Sequence, residues 1–265
     1  MPVRSWIVLL LLGVLASCTT VPVTGRRQLN MVSDPTILSM SLQQYNDFLK
    51  THKLSTDAEQ TEKIRQVGRR VQKGVERYFA ESGMMSELDG YQWEFNLVEG
   101  EEVNAFCMPG GKVVVYTGLL PVARDDNGLA VVMGHEIAHA VAKHGNERMS
   151  QALAMQLGGM ALGVAMSNES TQSRELWMMV YGMGASVGYM LPFSRLHERE
   201  ADQLGLIFMA LAGYDPHTAI DFWQRMAGKK AGKKPPEFLS THPSDQTRIE
   251  AIKDFIPEAM TYYRP

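Results

Sequence analysis

Residues 135–139 read His-Glu-Ile-Ala-His and carry the clearest chemical signal in the chain. Positions i and i+4 of an α-helix lie on one face, so His135 and His139 can share a single Zn²⁺ ion. The carboxylate of Glu136 can then reach a water at the metal without ligating the metal itself. This spacing predicts a catalytic site with one Zn²⁺ per chain and Glu136 as its general base.

The sequence around these residues is typical of a helix. Asp125 or Asp126 can cap its N-terminus, and no proline interrupts residues 127–149. We therefore expect one helix, on which His144 lies about half a turn away from His135 and is structural or exposed. The motif alone leaves open a chance match in which the histidines are solvated surface residues.

A second pair of acidic residues supplies the missing metal ligand. A catalytic zinc commonly has three protein ligands and leaves the fourth position to water. Glu198 and Asp202 are also i and i+4, so Glu198 can ligate while Asp202 accepts the outer N–H of a ligating imidazole. Glu200 competes, but it points about 160° away from Asp202. His197 faces elsewhere, and we assign it no role; the alternative for the whole segment is a surface helix of mixed charge.

The motif and its downstream partner resemble a known family. Residues 135–145 together with the Ser-Arg-x-x-Glu-x-x-x-Asp pattern of residues 194–202 are similar to the HtpX/Oma-type and CAAX-protease-type zinc metallopeptidases. Within that group the likeness is greatest to the periplasmic LoiP- and BepA-type lipoproteins. The resemblance extends to residues 104–112 and 240–244. Cys107 departs from the small apolar residue that is usual in such proteins, which affects no ligand.

The resemblance implies a zinc metalloendopeptidase (EC 3.4.24.-) that acts on protein or peptide substrates, with a role in periplasmic quality control. By position it makes His135, His139 and Glu198 the zinc ligands and Glu136 the catalytic residue, and it favours Glu198 over Glu200. The competing function is a chaperone-like protein or assembly scaffold with a structural or latent zinc site.

His242 is a further candidate, since the resemblance places its loop near the metal. Pro243 fixes that loop. His242 could stabilise the oxyanion of a tetrahedral intermediate, or it could take the water position and keep the enzyme latent. A hydrogen bond that merely stabilises the loop is an equal alternative.

The N-terminal residues have the pattern of a lipoprotein signal peptide. Arg4 precedes an apolar run over residues 6–15, which is too short to anchor the chain by spanning a bilayer. Residues 15–18 read Leu-Ala-Ser-Cys, which predicts a signal peptide over residues 1–17 and acylation of Cys18, for example with palmitate. Thr19, rather than aspartate, favours the outer membrane. We expect a protein anchored by lipid on the periplasmic side of that membrane; an ordinary secretory signal is the alternative.

Composition indicates an exported enzyme rather than a nucleic-acid-binding protein. The formal net charge is −3 and no basic stripe stands out, so we expect no nucleic-acid partner. Two cysteines exclude a disulfide scaffold, and Cys107 is expected to be a buried free thiol.

The periodicity predicts an α+β, predominantly α, domain with a small antiparallel sheet. The resemblance implies that this domain, over residues 18–265, is a zincin-like metallopeptidase domain. Residues 34–50 and 57–79 are helical in pattern, and residues 91–97 alternate like a strand. Residues 103–108 and 113–117 form a hairpin whose exposed edge beside the metal could hold an extended peptide, or whose strands are simply core.

Residues 149–193 form an apolar helical hairpin inserted in this domain. Neither of its runs, 149–167 and 176–193, contains a charged side chain, so a transmembrane hairpin is one interpretation. The runs are rich in methionine and glycine and contain Gln151 and Gln156. We therefore favour a non-spanning pair beside the active site that contacts membrane, an outer-membrane protein or assembly machinery.

Overall fold

The computed structural model describes residues 18–21, 24–185, 190–229, 237–242 and 246–265. The predicted signal peptide over residues 1–17 lies outside them, as does Pro243. The chain divides into two compact units. One unit comprises the described residues of Met1–Asp34 and Lys143–His197, and the other comprises those of Pro35–Ala142 and Glu198–Pro265.

Helices dominate the secondary structure. The strands are β1 (Cys18–Thr20), β2 (Arg27–Leu29), β3 (Glu94–Val98), β4 (Ala105–Met108) and β5 (Lys112–Tyr116). The helices are α1 (Asp34–Thr51), α2 (Ala58–Glu81), α3 (Leu120–Ala123), α4 (Asp126–Val141), α5 (His144–Ala165), α6 (Thr171–Ala185), α7 (Leu191–Leu211), α8 (Thr218–Lys229), α9 (Glu237–Thr241) and α10 (Gln246–Thr261). Short 3-10 helices cover Met85–Leu88 and Thr117–Leu119.

Helix α2 packs an apolar stripe into the core of the second unit. Asp57 caps the helix by accepting a hydrogen bond from the backbone N–H of Gln60. The stripe is fully buried and consists of Ile64, Val67, Val71 and Val75. Gly68 allows a close approach to β3, because a Cβ atom there would lie 2.3 Å from the ring of Phe95. The helix and the sheet therefore form one packed layer pair.

The three-stranded sheet of this unit is mixed and has the order β3-β5-β4. β4 and β5 form the predicted antiparallel hairpin, which turns at Gly110 and Gly111 with φ of 89° and 85°. We expected an antiparallel sheet, but β3 pairs with β5 in parallel, so the sheet is mixed. The hairpin places β4 at the outside and β5 in the middle, and β3 runs in the same direction as β5. Val113, Val114 and Val115 are consequently fully buried.

Helix α4 is a buried central helix and is shorter than predicted. Asp125 caps it by accepting from the N–H of Gly128 at 2.9 Å, and the side chains from Gly128 to Val141 are all buried. The prediction of one helix through residue 149 is wrong. The chain leaves the helical conformation at Lys143, where φ is 58°, and α5 begins at the next residue.

The first unit ties the N-terminal segment to the start of α5. β1 and β2 pair in an antiparallel hairpin. The guanidinium of Arg26 donates two hydrogen bonds to the carboxylate of Glu147, at 3.0 and 2.7 Å. The backbone N–H of Met31 donates to the hydroxyl of Ser150 at 2.8 Å. These contacts fix the segment that follows Cys18 against one turn of α5.

Two histidines of the first unit are buried around the same carboxylate. Nε2 of His197 lies 2.8 Å from Oε2 of Glu147, and the ring of His144 stacks on that of His197 at 4.3 Å. The structural alternative for His144 is therefore correct. His197, to which the sequence analysis assigned no functional role, has a structural one, because its contact with Glu147 completes a cluster that also contains Arg26.

Helices α5 and α6 form a helical hairpin over residues 144–185, whereas the predicted insertion spans residues 149–193. They contact each other through the hydroxyl of Tyr181, which donates to the carbonyl of Met155 at 2.8 Å. The large apolar side chains of α6 that are exposed include Leu176, Trp177, Met178, Met179, Val180 and Met183. Among the described residues, no helix combines the length and apolar character needed to cross a bilayer. Residues 186–189 lie outside the described residues.

Candidate metal centre

Four side chains of the second unit converge as a candidate metal site. His135 and His139 come from α4, Glu198 from α7 and His242 from the segment after α9, and one ligand atom of each lies within 4.8 Å of all the others. Nε2 of His135 is 3.1 Å from Nε2 of His139 and 3.4 Å from Oε2 of Glu198. All four residues are buried. Glu200 is also buried, but it lies outside this group.

The donor set fits a tetrahedral divalent metal such as zinc. Nitrogen and carboxylate oxygen bind Zn²⁺ at about 2.0–2.2 Å, so neighbouring donors in a tetrahedral site lie about 3.3–3.5 Å apart. The nitrogen–nitrogen and nitrogen–oxygen separations among His135, His139 and Glu198 are 3.1–3.4 Å. Imidazole nitrogens this close have lone pairs that a metal ion would satisfy together.

Asp202 fixes the orientation of His135. Its Oδ1 lies 3.0 Å from Nδ1 of His135, so Nδ1–H can donate to Asp202 and Nε2 is left to face the ligand group. Burial by itself would raise the pKa of Asp202, but the charge of Arg248 and the contact with His135 lower it. Asp202 therefore stays ionised and can hold the imidazole in one tautomer.

Arg248 on α10 contacts both Asp202 and Glu198. The sequence analysis did not identify it as a site residue. Its Nε and Nη2 donate to Asp202 at 2.7 and 2.8 Å, and Nη1 lies 3.1 Å from Oε2 of Glu198. Its guanidinium lies 3.6 Å from the ring centroid of Trp223. A signal existed in the sequence: Arg248 shares the apolar face of α10 with Ile252 and Ile256, where a lone arginine requires a buried partner.

Glu136 lies beside the ligand group with an unsatisfied oxygen. Among the described residues, Oε1 of Glu136 has no hydrogen-bond partner, and Nε2 of His242 approaches it to 3.4 Å. Burial, opposed by the charges of His242 and His135, raises the pKa of Glu136. A carboxylate with a raised pKa and a free acceptor is suited to take up and release a proton.

His242 lies close enough to His135, His139 and Glu198 to bind the same metal ion. Its Nδ1 lies 3.0 and 3.1 Å from the two oxygens of Glu198 and 3.2 Å from Nε2 of His135. Its ring stacks on Phe238 at 4.6 Å. The structure thus brings together the residues that the sequence analysis nominated for the metal site, and it gives the group four donors rather than three.

Cys107 on β4 is a free thiol, as predicted, although the residue is half-buried rather than fully buried. Burial, and to a smaller extent the charge of Glu136, raises its pKa well above the usual range. The protonated Sγ donates weakly to the carbonyl of Met108 at 3.6 Å. It is not a ligand in the buried group.

Comparisons with known proteins agree with this geometry. The model of peptidase family M48 matches residues 65–256. The mitochondrial metalloendopeptidase OMA1 of Schizosaccharomyces pombe is 37% identical over 190 residues, which cover 71% of this chain and 53% of that protein. Human mitochondrial metalloendopeptidase OMA1 is 33% identical over 173 residues, or 63% of this chain and 33% of that one. The β-barrel assembly-enhancing protease of Yersinia pestis is 29% identical over 166 residues, or 61% of this chain and 34% of that one.

The chain spans about half the length of the Schizosaccharomyces pombe relative. Identity to OMA1 exceeds identity to the assembly-enhancing protease, so the narrower expectation of a closest likeness to LoiP- and BepA-type lipoproteins is not supported. The broader HtpX/Oma-type resemblance agrees with a family match that covers most of the chain, including α4, α7 and Arg248. The chain belongs to peptidase family M48.

Proposed function

We propose that this protein is a zinc-dependent endopeptidase that hydrolyses peptide bonds of unfolded or misassembled envelope proteins. The observation that carries the proposal is the buried group of His135, His139 and Glu198 with the unsatisfied carboxylate of Glu136 beside it. The names of two relatives, mitochondrial metalloendopeptidase and β-barrel assembly-enhancing protease, support the reaction type, and the second name supports a connection with the assembly of β-barrel proteins.

His135, His139 and Glu198 would hold the zinc ion, and Asp202 and Arg248 would keep two of these ligands in place. Bound Zn²⁺ supplies Lewis acidity, which lowers the pKa of a coordinated water to about 7 and polarises a carbonyl group. Glu136 takes the proton from the attacking water on its carboxylate. It then passes that proton to the amide nitrogen of the leaving group, which becomes the new N-terminus.

Strand β4 offers a means of orienting the substrate. It is an outer strand of the sheet and packs against α4, which carries His135 and His139. An extended peptide that adds to β4 by main-chain hydrogen bonds would have its backbone alongside the metal helix. Recognition through the backbone suits a peptidase that acts on unfolded chains of varied sequence.

A latent or structural site is the second candidate, and the position of His242 favours it. Three imidazoles and one carboxylate make four protein donors, which is the number typical of a structural zinc site. In this arrangement His242 takes the position that water needs, and the protein acts as a scaffold until His242 moves. The two functions differ in whether wild-type protein hydrolyses a substrate as isolated.

The deciding experiment compares wild type with Glu136→Gln, as the chain of residues 18–265 with Cys18→Ser, on unfolded casein. We expect hydrolysis by wild type alone, with about one zinc per chain in both proteins. Activity in Glu136→Gln would show that Glu136 is not the base. If the variant lost its zinc, its inactivity could not be attributed to loss of the base. Zinc-loaded wild type without activity, restored by His242→Ala, would establish latency.

We further propose that Cys18 is acylated and anchors the protein on the periplasmic side of the outer membrane. More than one acyl chain gives stable attachment. The exposed apolar side chains of α6 suit a partner in that setting, such as an outer-membrane protein or its assembly machinery. Labelling with radioactive palmitate should mark wild type and not Cys18→Ser. Equal labelling of both would exclude this site.

A further inference from the structure

The outer edge of β3 already binds a short segment of the chain along half of its length. The carbonyl of Leu97 accepts from the backbone N–H of Ser55 at 2.8 Å, and the N–H of Glu99 donates to the carbonyl of Lys53 at 2.8 Å. Leu54 and Val98 form an antiparallel bridge between these bonds. This edge is therefore competent for antiparallel strand addition.

The other half of the same edge pairs with no strand among the described residues. Glu94 directs its N–H to the carbonyl of Gly111, on the β5 side, so the alternate residues Trp93 and Phe95 direct theirs to the outer edge. Within the part of the chain that the structure describes, the backbone groups of Trp93 and Phe95 have no hydrogen-bond partner. The chain leaves the edge after Ser55 and enters α2, which begins at Ala58.

A positively charged cleft of about 410 Å³ lies beside this half of the edge. Arg65, Arg69 and Gln72 line it from one face of α2, and Trp93 and Phe95 line it from the strand.

The positive charge of the cleft is neutralised only in part. Arg69 has an exposed pairing with Glu62, whereas Arg65 has no carboxylate partner among the described residues. Glu94, which also borders the cleft, is engaged by Tyr45, whose hydroxyl donates to it at 2.7 Å, and by Lys112 at 3.4 Å. The free charge that faces a ligand is therefore positive.

We propose that this cleft binds an extended, acidic peptide segment by strand addition to β3. The peptide would lie along the same edge of β3 as residues 53–55. The backbone groups of Trp93 and Phe95 supply main-chain hydrogen bonds, and Arg65 and Arg69 select acidic side chains. The site goes beyond the proposed hydrolysis, since β3 and β4 are the opposite outer strands of the sheet. It would hold a protein at a distance from the cleavage position.

Binding can be measured without cleavage in the Glu136→Gln background of the chain of residues 18–265. The probe is a fluorescein-labelled peptide of alternating glutamate and valine, and its lysine–valine counterpart is the charge control. We expect the fluorescence anisotropy of the acidic probe to rise to a plateau as protein is added, and that of the basic probe to stay unchanged. Equal binding of both probes would overturn the proposal.

A matched pair of double variants locates the site. Arg65→Glu/Arg69→Glu reverses two charges in the cleft, and Lys73→Glu/Arg77→Glu reverses two exposed charges elsewhere on α2. We expect the first pair to weaken binding at least about tenfold, the loss of roughly one charge-assisted hydrogen bond. The second pair should change binding less than about twofold. Equal losses would indicate general electrostatic attraction and overturn the assignment.

Strand addition has its own test. N-methylation of alternate amides in the acidic probe removes main-chain donors along one edge and keeps every side chain. One of the two methylation registers should abolish binding; unchanged affinity in both would mean that the cleft binds anions only. Casein hydrolysis by the Arg65→Glu/Arg69→Glu variant that retains Glu136 separates the proposed peptidase activity from the proposed peptide-binding cleft. The peptidase can be active while this cleft binds nothing.

Discussion

Gly134 of α4 and Gly205 of α7 lie in backbone contact where these two helices cross. A Cβ atom on Gly205 would lie 2.8 Å from the backbone nitrogen of His135, and one on Gly134 would lie 2.9 Å from the carbonyl oxygen of Gly205. The absence of both side chains lets the helices approach closely. That approach brings Glu198 within 3.4 Å of Nε2 of His135.

Gly205→Ala should therefore damage the metal site from outside it. The added methyl group meets backbone atoms, so α7 must shift, at a cost of about 1–3 kcal/mol in the free energy of unfolding. Zinc affinity should fall as Glu198 moves, measured by competition with a chromogenic chelator. Gly228→Ala is the control, because nothing lies within 4 Å of its Cβ position. Wild-type zinc affinity in Gly205→Ala would show that the crossing does not set the ligand distance.

Asp202→Ala should weaken zinc binding by about 10–100-fold, since it removes the acceptor that orients His135. The same chelator competition measures the effect. Asp254→Ala on α10 removes an exposed carboxylate and should leave affinity unchanged. An unchanged dissociation constant in Asp202→Ala would exclude the orienting role of its 3.0 Å contact with Nδ1.

Arg248→Met should destabilise the fold strongly, by about 3–5 kcal/mol, because it leaves the buried carboxylates of Asp202 and Glu198 without their cation. Arg248→Lys should recover only part of this loss, since an ammonium cannot make the two-point contact or stack on Trp223 in the same way. Urea unfolding of the metal-free proteins measures both. Lys253→Met, an exposed change on the same helix, is the control. Similar costs at the two positions would contradict the bridging role.

Glu147→Gln should reduce stability in a pH-dependent manner. Burial favours a higher pKa for Glu147, but hydrogen bonds from His197 and Arg26 lower it below the ordinary value. A carboxyl group with a lowered pKa contributes stability above its unfolded-state pKa of about 4.3, and the contribution is lost as pH falls through the folded-state pKa.

The free energy of unfolding of Glu147→Gln should thus fall by about 1–3 kcal/mol at pH 7. The difference from wild type should shrink below about pH 4, as Glu147 becomes protonated. Urea titrations at several pH values provide the measurement, with the exposed Glu175→Gln as control. A difference that stays constant down to low pH would mean that packing, not charge, accounts for the loss.

Local periodicity was sufficient for much of this structure. The i, i+4 spacing predicted that His135 shares a helical face with His139, and Glu198 with Asp202, because helical geometry fixes which side chains share a face. The structure places these four residues close together. The β4–β5 hairpin followed in the same way from its turn glycines.

Features set by long-range packing were not accessible from the sequence. The break at Lys143 depends on a positive φ in a residue type with no preference for that conformation. The alternation of apolar and polar residues does not show which strand β3 pairs with, so its parallel pairing with β5 could not be predicted from it. The position of Arg248 on an apolar face indicates a buried partner, but not which one. Asp202, 46 residues away in sequence, becomes that partner only because α10 packs beside α7.

That late partnership ties the metal centre to the last helix that the structure describes. The two carboxylates on α7 precede, along the chain, both the arginine that compensates them and His242. Without α10, these carboxylates, one turn apart on α7, would repel each other with no guanidinium to pair with them. A peptidase proposed to cut unfolded chains would thereby gain its active geometry only as α10 reaches its place.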